Sequence, residues 1–155
     1  MFTQPLPNAP RVALVGCSAS KLKHPAPARE LYTSGLFRAA LAYAEGTCDA
    51  LLVVSAFHGV LAPNTVIGPY NRSLRHASKA ERTVWGDRTI ADLLPAFGVP
   101  PQLVILAGQL YADVLACGAR QHDLPRPEEP LRGIAGFGPR ITWLKTHTPP
   151  CGAAA

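Results

Sequence analysis

The sequence predicts an α/β fold: a three-layer sandwich in a single domain, with helices on both faces of a mostly parallel central sheet. Short apolar runs recur without strict in/out alternation, the pattern of strands buried on both faces. Amphipathic segments at helical spacing lie between them. The 155 residues, 48% apolar and 16% charged, suffice for one unit with a real core.

Residues 1–10 lack the basic start and apolar run of a secretory signal and are expected as a flexible lead-in. The folded unit is expected over 11–147, with a loose tail over 148–155. Strands are expected at Val12 to Val15, Leu51 to Ser55, Leu103 to Ala107 and Ile141 to Leu144. The first helix is expected from Ser34 to Glu45, where Leu36, Phe37, Ala40, Leu41 and Ala44 make an apolar stripe and Gly46 ends it. Ser78-Lys-Ala-Glu81 fits a capping box and starts a second helix, which runs toward Leu94 past the weakening Gly86. A third helix is expected from Gln109 to Cys117, ending near Gly118. Segments 56–76 and 119–139, rich in proline and glycine, read as loops, and no internal repeat is visible.

Composition narrows the function classes. The formal net charge is +5 and the isoelectric point near 9.3, a mild bias toward polyanionic partners. The four cysteines at 17, 48, 117 and 151 form no Cys-x-x-Cys pair, which argues against a zinc knuckle and offers no disulfide framework. Reduced thiols in a cytoplasmic location are the simplest expectation. No window is apolar enough to span a membrane, so no membrane partner is expected. The acidic residues are scattered, so no metal and no cofactor is expected. Nothing in the sequence bears on oligomeric state.

The chemistry-bearing residues gather at strand ends. The first strand runs straight into Cys17-Ser-Ala-Ser-Lys21, followed by a long loop with Lys23, His24, Arg29, Tyr32 and Thr33. Ligands of open α/β sheets bind beyond the carboxyl ends of the strands. Lys21 would hold an anionic group, with Ser18 and Ser20 adding donors, while Cys17 serves as nucleophile or as a buried strand-end residue. The glycines and the Gly-Lys-Ser/Thr ending of a Walker loop are missing. Ser34 is expected to cap the first helix, leaving its amides to an anion, and Tyr32 to stack on a base or pack in the core.

The second strand ends in Ser55-Ala-Phe-His58-Gly59, at the same end as Cys17 if the strands are parallel. His58 there is a candidate acid/base or a surface residue, and Gly59 marks a turn. Tyr70 with Arg72, Arg75 and Lys79 supplies aromatic and cationic groups; the cap at Ser78 breaks any continuous basic stripe but leaves a basic patch. Gly108 would admit a ligand or another strand end, with Tyr111 in the same crevice or packed on the sheet. The segment from Pro130 through Gly133 and Gly136 to Gly138 is a lid or a connection before the last strand.

Taken in order, Cys17-Ser-x-x-Lys21, Leu31-Tyr-x-Ser34-x-x-Phe37, Ser55-Ala-x-x-Gly59-x-Leu61, Pro69-Tyr70 with Leu74, Ala107-Gly-x-x-Tyr111 and Pro130-Leu-x-Gly133 ending in Trp143-Leu144 resemble one family. It is the small bacterial and phage DUF6884-type proteins of unknown function, allied to the peroxide-stress YaaA-like superfamily. The resemblance covers residues 11–145 and implies an α/β domain with a cleft at the strand ends. More distantly, Cys17-x-x-x-Lys21 is similar to the Pro-Cys-x-x-x-Lys-Pro-Tyr pattern of archaeal tRNA enzymes that modify a 7-deazaguanine base. Gly16 replaces the first proline, and no Pro-Tyr follows Lys21. The resemblance implies a setting in oxidative stress, DNA damage response or base modification.

The combined expectation is a cytosolic protein that binds a nucleobase, nucleotide or nucleic acid. Cys17 and His58 are its candidate catalytic residues. Ser18, Ser20, Lys21, Tyr32, Ser34, Ser55, Gly59, Tyr70, Gly108 and Tyr111 would bind the ligand, and Arg72, Arg75 and Lys79 would form a nucleic-acid surface. The alternatives are a DNA-binding protein without chemistry, using the basic surface, and a small-molecule nucleotide hydrolase or transferase.

Overall fold

A computed structural model describes residues 8–150; most of the expected lead-in and tail lies outside them. Three strands fall where the apolar runs predict them: β1 (Arg11–Gly16), β3 (Ala50–Ser55) and β6 (Gln102–Leu106). The short β4 (Gly59–Leu61) completes a sheet of order β4-β3-β1-β6. β1 is parallel to both neighbours, pairing Val12 with Ala50 and with Leu103, and β4 returns antiparallel to β3. Because β1, β3 and β6 are parallel, their carboxyl ends open on one side of the sheet.

The absence of alternation in these strands has its cause in two separate cores. Ala13, Val15, Val53, Val104 and Leu106 face one core with Phe37, Tyr43 and Leu144; α2 (Gly35–Thr47) and α5 (Phe137–His147) cover it. Val12, Leu14, Val54, Leu103 and Ile105 face the other with Ile90, Leu93 and Leu115, covered by α3 (Lys79–Leu93) and α4 (Gln109–Gln121). Two helices, a sheet and two helices make the three layers. The outer edge of β6 is closed by a parallel bridge, with the Ile105 amide donating to the Glu128 carbonyl at 2.8 Å and the Glu128 amide to that of Leu103 at 2.9 Å.

Helix starts follow the sequence. Ser34 Oγ accepts from the Phe37 amide at 3.1 Å and caps α2. At α3 both halves of the capping box form: Ser78 Oγ accepts from the Glu81 amide at 3.1 Å and the Glu81 carboxylate from the Ser78 amide at 3.0 Å.

Helix ends and the C-terminal region differ from expectation. α2 runs through Gly46 to Thr47. α4 continues past Gly118 to Gln121, because Gly118 is a packing residue: a Cβ there would stand 2.7 Å from the Gly86 carbonyl oxygen. The same close crossing of α3 and α4 explains Gly86. The loop after Cys17 contains β2 (Ala26–Pro27) and the single turn α1 (Ala28–Leu31), and β2 pairs with β5 (Val66–Ile67).

Ile141 to Leu144 is not a strand but lies within α5. Ile141 and Leu144 fall one helical turn apart on the face toward α2, Trp143 meets Tyr43 at 5.4 Å between ring centroids, and Gly136 at φ 89° sets the chain's entry into the helix. The glycine-rich segment therefore leads into a helix.

Candidate functional site

β1 sits at the reversal of strand order: its connection leads to α2 on one face, whereas β6 leads to α4 on the other. Such a switch point opens a crevice at the carboxyl ends. Gly16 lets it form, since a Cβ there would lie 2.7 Å from that of Ala107. The close approach expected at Gly108 thus occurs at Gly16; a Cβ at Gly108 would meet open space.

Cys17 follows Gly16 and is held by its own amide, which donates to the Val54 carbonyl at 2.9 Å. Three tyrosines gather around it from three elements. Burial pushes the Tyr32 hydroxyl up to about 12, and it pushes those of Tyr70 and Tyr111 upward too. The Cys17 side chain is near enough to add to the rise at all three. At neutral pH the three hydroxyls are uncharged.

Ser55 is the hub behind this ring. Its Oγ donates to Tyr70 Oη at 2.7 Å and accepts from the amides of Phe57 and His58 at 3.2 and 3.1 Å. Trp85 Nε1 donates to the Ser55 carbonyl at 3.0 Å, and the hydroxyls of Tyr70 and Tyr32 share a bond of 2.6 Å. Trp85 in turn meets the Tyr111 ring edge-on at 5.7 Å. Tyr111 Oη accepts from the Leu74 amide at 3.2 Å, tying the loop after Tyr70 to α4.

This geometry sorts the expected ligand residues. Ser55 is 0% exposed with its hydroxyl fully used, and Tyr32 is 1% exposed against Phe37, so neither presents a surface to a ligand. Ser55 is a structural hub, and the exposed aromatic of this cluster is Phe57, stacked on Tyr70. Ser34 spends its hydroxyl on the helix cap. Gly59 takes φ +72°, the left-handed backbone needed to close the tight turn from β3 into β4.

Lys21, Tyr70 and His58 do come together. Lys21 Nζ lies 4.6 Å from the Tyr70 ring centroid and donates to the Ala19 carbonyl at 3.3 Å. Ser18 Oγ donates to the Ser20 carbonyl at 3.3 Å within the same exposed turn. His58 approaches the Tyr70 ring edge-on at 5.5 Å. Phe57, which the sequence reading passed over, is 58% exposed and stacks on Tyr70 at 5.6 Å. An exposed aromatic in a strand-end turn was its available signal.

Phe57 and Tyr70 wall a cleft of about 450 Å³ with Asn71, Arg72, Ser73 and His76. Arg140 was also missed; from α5 it donates to the Ala107 carbonyl at 3.3 Å and to that of Ile134 at 2.7 Å, adding a cation beside the crevice. Nothing in the spacing of α5 signals that contact.

Arg72 and Arg75 precede α3 and Lys79 opens it. Among the described residues, none of the three pairs with a carboxylate. Among these residues, too, no group of three or more His, Cys, Asp or Glu is placed to hold a metal ion, and no helix is long and apolar enough to cross a membrane.

A family model described as a family of unknown function, DUF6884, matches residues 12–146. No curated protein matches the chain.

Proposed function

The chain belongs to the DUF6884 family, whose function is unknown, and we propose that it binds a nucleobase-bearing ligand in the crevice at the carboxyl ends of β1, β3 and β6. The observation that carries this reading is the exposed Phe57 stacked on Tyr70, with the Lys21 ammonium on the other ring of the same cluster and Cys17 behind it. An aromatic surface left open to solvent in a concave, cationic setting suits a planar base joined to an anionic group.

In this reading Phe57 and Tyr70 stack the base. Lys21, the Ser18–Ser20 turn and the open start of α4 at Gly108 take the anionic group. Cys17 and His58 face the edge of the base, with Tyr111 donating beside Cys17. The motif resemblance to the YaaA-like superfamily supports a setting in DNA damage response or base modification.

Titration of a fluorescent nucleoside monophosphate tests it against the native protein, Phe57→Ala and Lys21→Ala. Base–aromatic stacking contributes about 1–3 kcal/mol, so Phe57→Ala is expected to weaken binding roughly five- to 150-fold. Lys21→Ala is expected to weaken the monophosphate more than the free nucleoside. Binding equal in all three proteins refutes the cleft. A second reading, a basic surface without chemistry, is favoured by Arg72, Arg75 and Lys79, which have no carboxylate partner among the described residues. It predicts polymer binding that falls steeply with salt and ignores both substitutions.

A further inference from the structure

The basic loop after Tyr70 separates two clefts. Arg72 and His76 line the aromatic cleft, together with Glu81. Lys79, Arg82 and Thr83, from the other side of the same helix start, line a second groove of about 350 Å³ between α3 and α4, closed by Leu110, Gln121 and Asp113, whose carboxylate is paired with Arg132. The first turn of α3 is thus a ridge, with a cleft on each flank and cations on both.

The ridge is built to hold its shape. Arg82 donates to the carbonyls of Leu74 and Arg75 at 2.8 and 3.1 Å, Ser73 Oγ accepts from the Arg75 amide at 3.2 Å, and Tyr111 clips Leu74 to α4. Glu81, the acidic residue lining the aromatic cleft, has its carboxylate committed to the capping box. Arg72, Arg75 and Lys79 are exposed and without a carboxylate partner among the described residues. Exposed cations on a rigid ridge between two clefts suit a chain of phosphates that carries a planar group on each side.

We infer that the ligand is single-stranded nucleic acid, with one base stacked on Phe57 and Tyr70, its phosphates crossing the ridge at Arg72, Arg75 and Lys79, and the strand entering the α3–α4 groove. The inference rests on the cleft reading above and extends it from a nucleotide to a polymer. Duplex suits the site less well. The open aromatic face sits inside a cleft and needs an unpaired base, and the cations lie on a loop and one helical turn, not along a helix that could enter a groove.

The test compares thymidine monophosphate with fluorescent oligothymidylates of two, four and eight nucleotides, the matching oligouridylates, and an eight-base-pair duplex, each over a range of salt. Affinity is expected to rise at least about tenfold from monophosphate to tetranucleotide, with a log–log salt slope of about −0.7 for each phosphate engaged. Lys79→Glu and Gln121→Glu, both on the groove side, should erase that gain, and Gln121→Glu should leave monophosphate binding at the native level. Oligothymidylate against oligouridylate reads which strand is preferred, with sugar and 5-methyl group changed together. Equal affinity for monophosphate and tetranucleotide, or tighter binding of duplex than of single strand, overturns the polymer inference while the cleft reading stands. Absence of binding by every probe overturns both.

Discussion

The hydroxyl chain from Ser55 through Tyr70 to Tyr32 makes a sharp prediction about coupling. Tyr32→Phe removes the outer hydroxyl and the 2.6 Å bond it shares with Tyr70, while Tyr70 keeps Ser55 as its partner. One hydrogen bond of this kind contributes about 1 kcal/mol. Tyr70→Phe is worse, because it leaves two hydroxyls without their partner, Tyr32 at 1% and Ser55 at 0% exposure; about 2 kcal/mol is expected. In the double variant the Tyr32 hydroxyl no longer exists to be orphaned. The double should therefore cost no more than Tyr70→Phe alone, giving a coupling of about 1 kcal/mol in a double-mutant cycle. Urea unfolding followed by circular dichroism measures it, with equal denaturant slopes as the control. In heat, about 2–4 °C is expected per kcal/mol for a domain of this size. Strictly additive effects would refute the chain, as would a neutral Tyr70→Phe.

Alkaline pH should weaken the fold through the same residues. Tyr32 titrates up to about 12 when folded, against 10.0 for the free side chain, and burial moves Tyr70 and Tyr111 in the same direction. The unfolded chain releases these protons first, so their stabilisation is complete below pH 10 and is lost as pH rises from there through about 12; tyrosinate absorbance recorded alongside circular dichroism should show ionisation and unfolding together. Gly118→Ala places a Cβ 2.7 Å from the Gly86 carbonyl oxygen, and overpacking of about 1–3 kcal/mol should outweigh the helix-propensity gain of up to about 1 kcal/mol. A raised melting temperature would contradict the close helix crossing. Ser78→Ala removes half the capping box and should cost about 1 kcal/mol without altering monophosphate binding. Gly59→Ala forces an alanine to φ +72° and should destabilise by about 1–2 kcal/mol in the same unfolding assay.

Legibility in the sequence tracked how local each signal is. β1, β3 and β6 were readable because burial on both faces writes itself as an unbroken apolar run. Ser34 and Ser78 were readable because a cap is satisfied within one turn. Ile141 to Leu144 misled because four residues with three apolar members suit either a buried strand or one helical turn; length and the positive φ of Gly136 decide it, and φ is not written in the sequence. The two glycines that join α3 to α4 looked like helix weakness and a helix stop, since their contact lies across the fold. At the site, Cys17, Lys21 and His58 were singled out from their place after strands, and Tyr70 from the aromatic and cationic residues of its loop. The burial of Tyr32 and Ser55, the stacked Phe57 and the reach of Arg140 depend on long-range contacts that no spacing rule encodes.

The position of β1 in the sheet has a consequence for how the molecule assembles. One edge of β1 pairs with β3, the next long strand, while the other waits for β6, whose Leu103 aligns with Val12 across most of the chain. Closing that second ladder costs loop entropy that the first does not. On a ribosome, β1, α2, β3 and β4 can dock while the opposite edge of β1 stays bare until Gln102–Leu106 has emerged. The crevice around Cys17 forms only when β6 arrives, so it is a late feature of the fold. Pulse-labelled hydrogen exchange should find the β1–β3 amides protected before those of β6, and a nascent chain held short of β6 would display the apolar edge that chaperones engage.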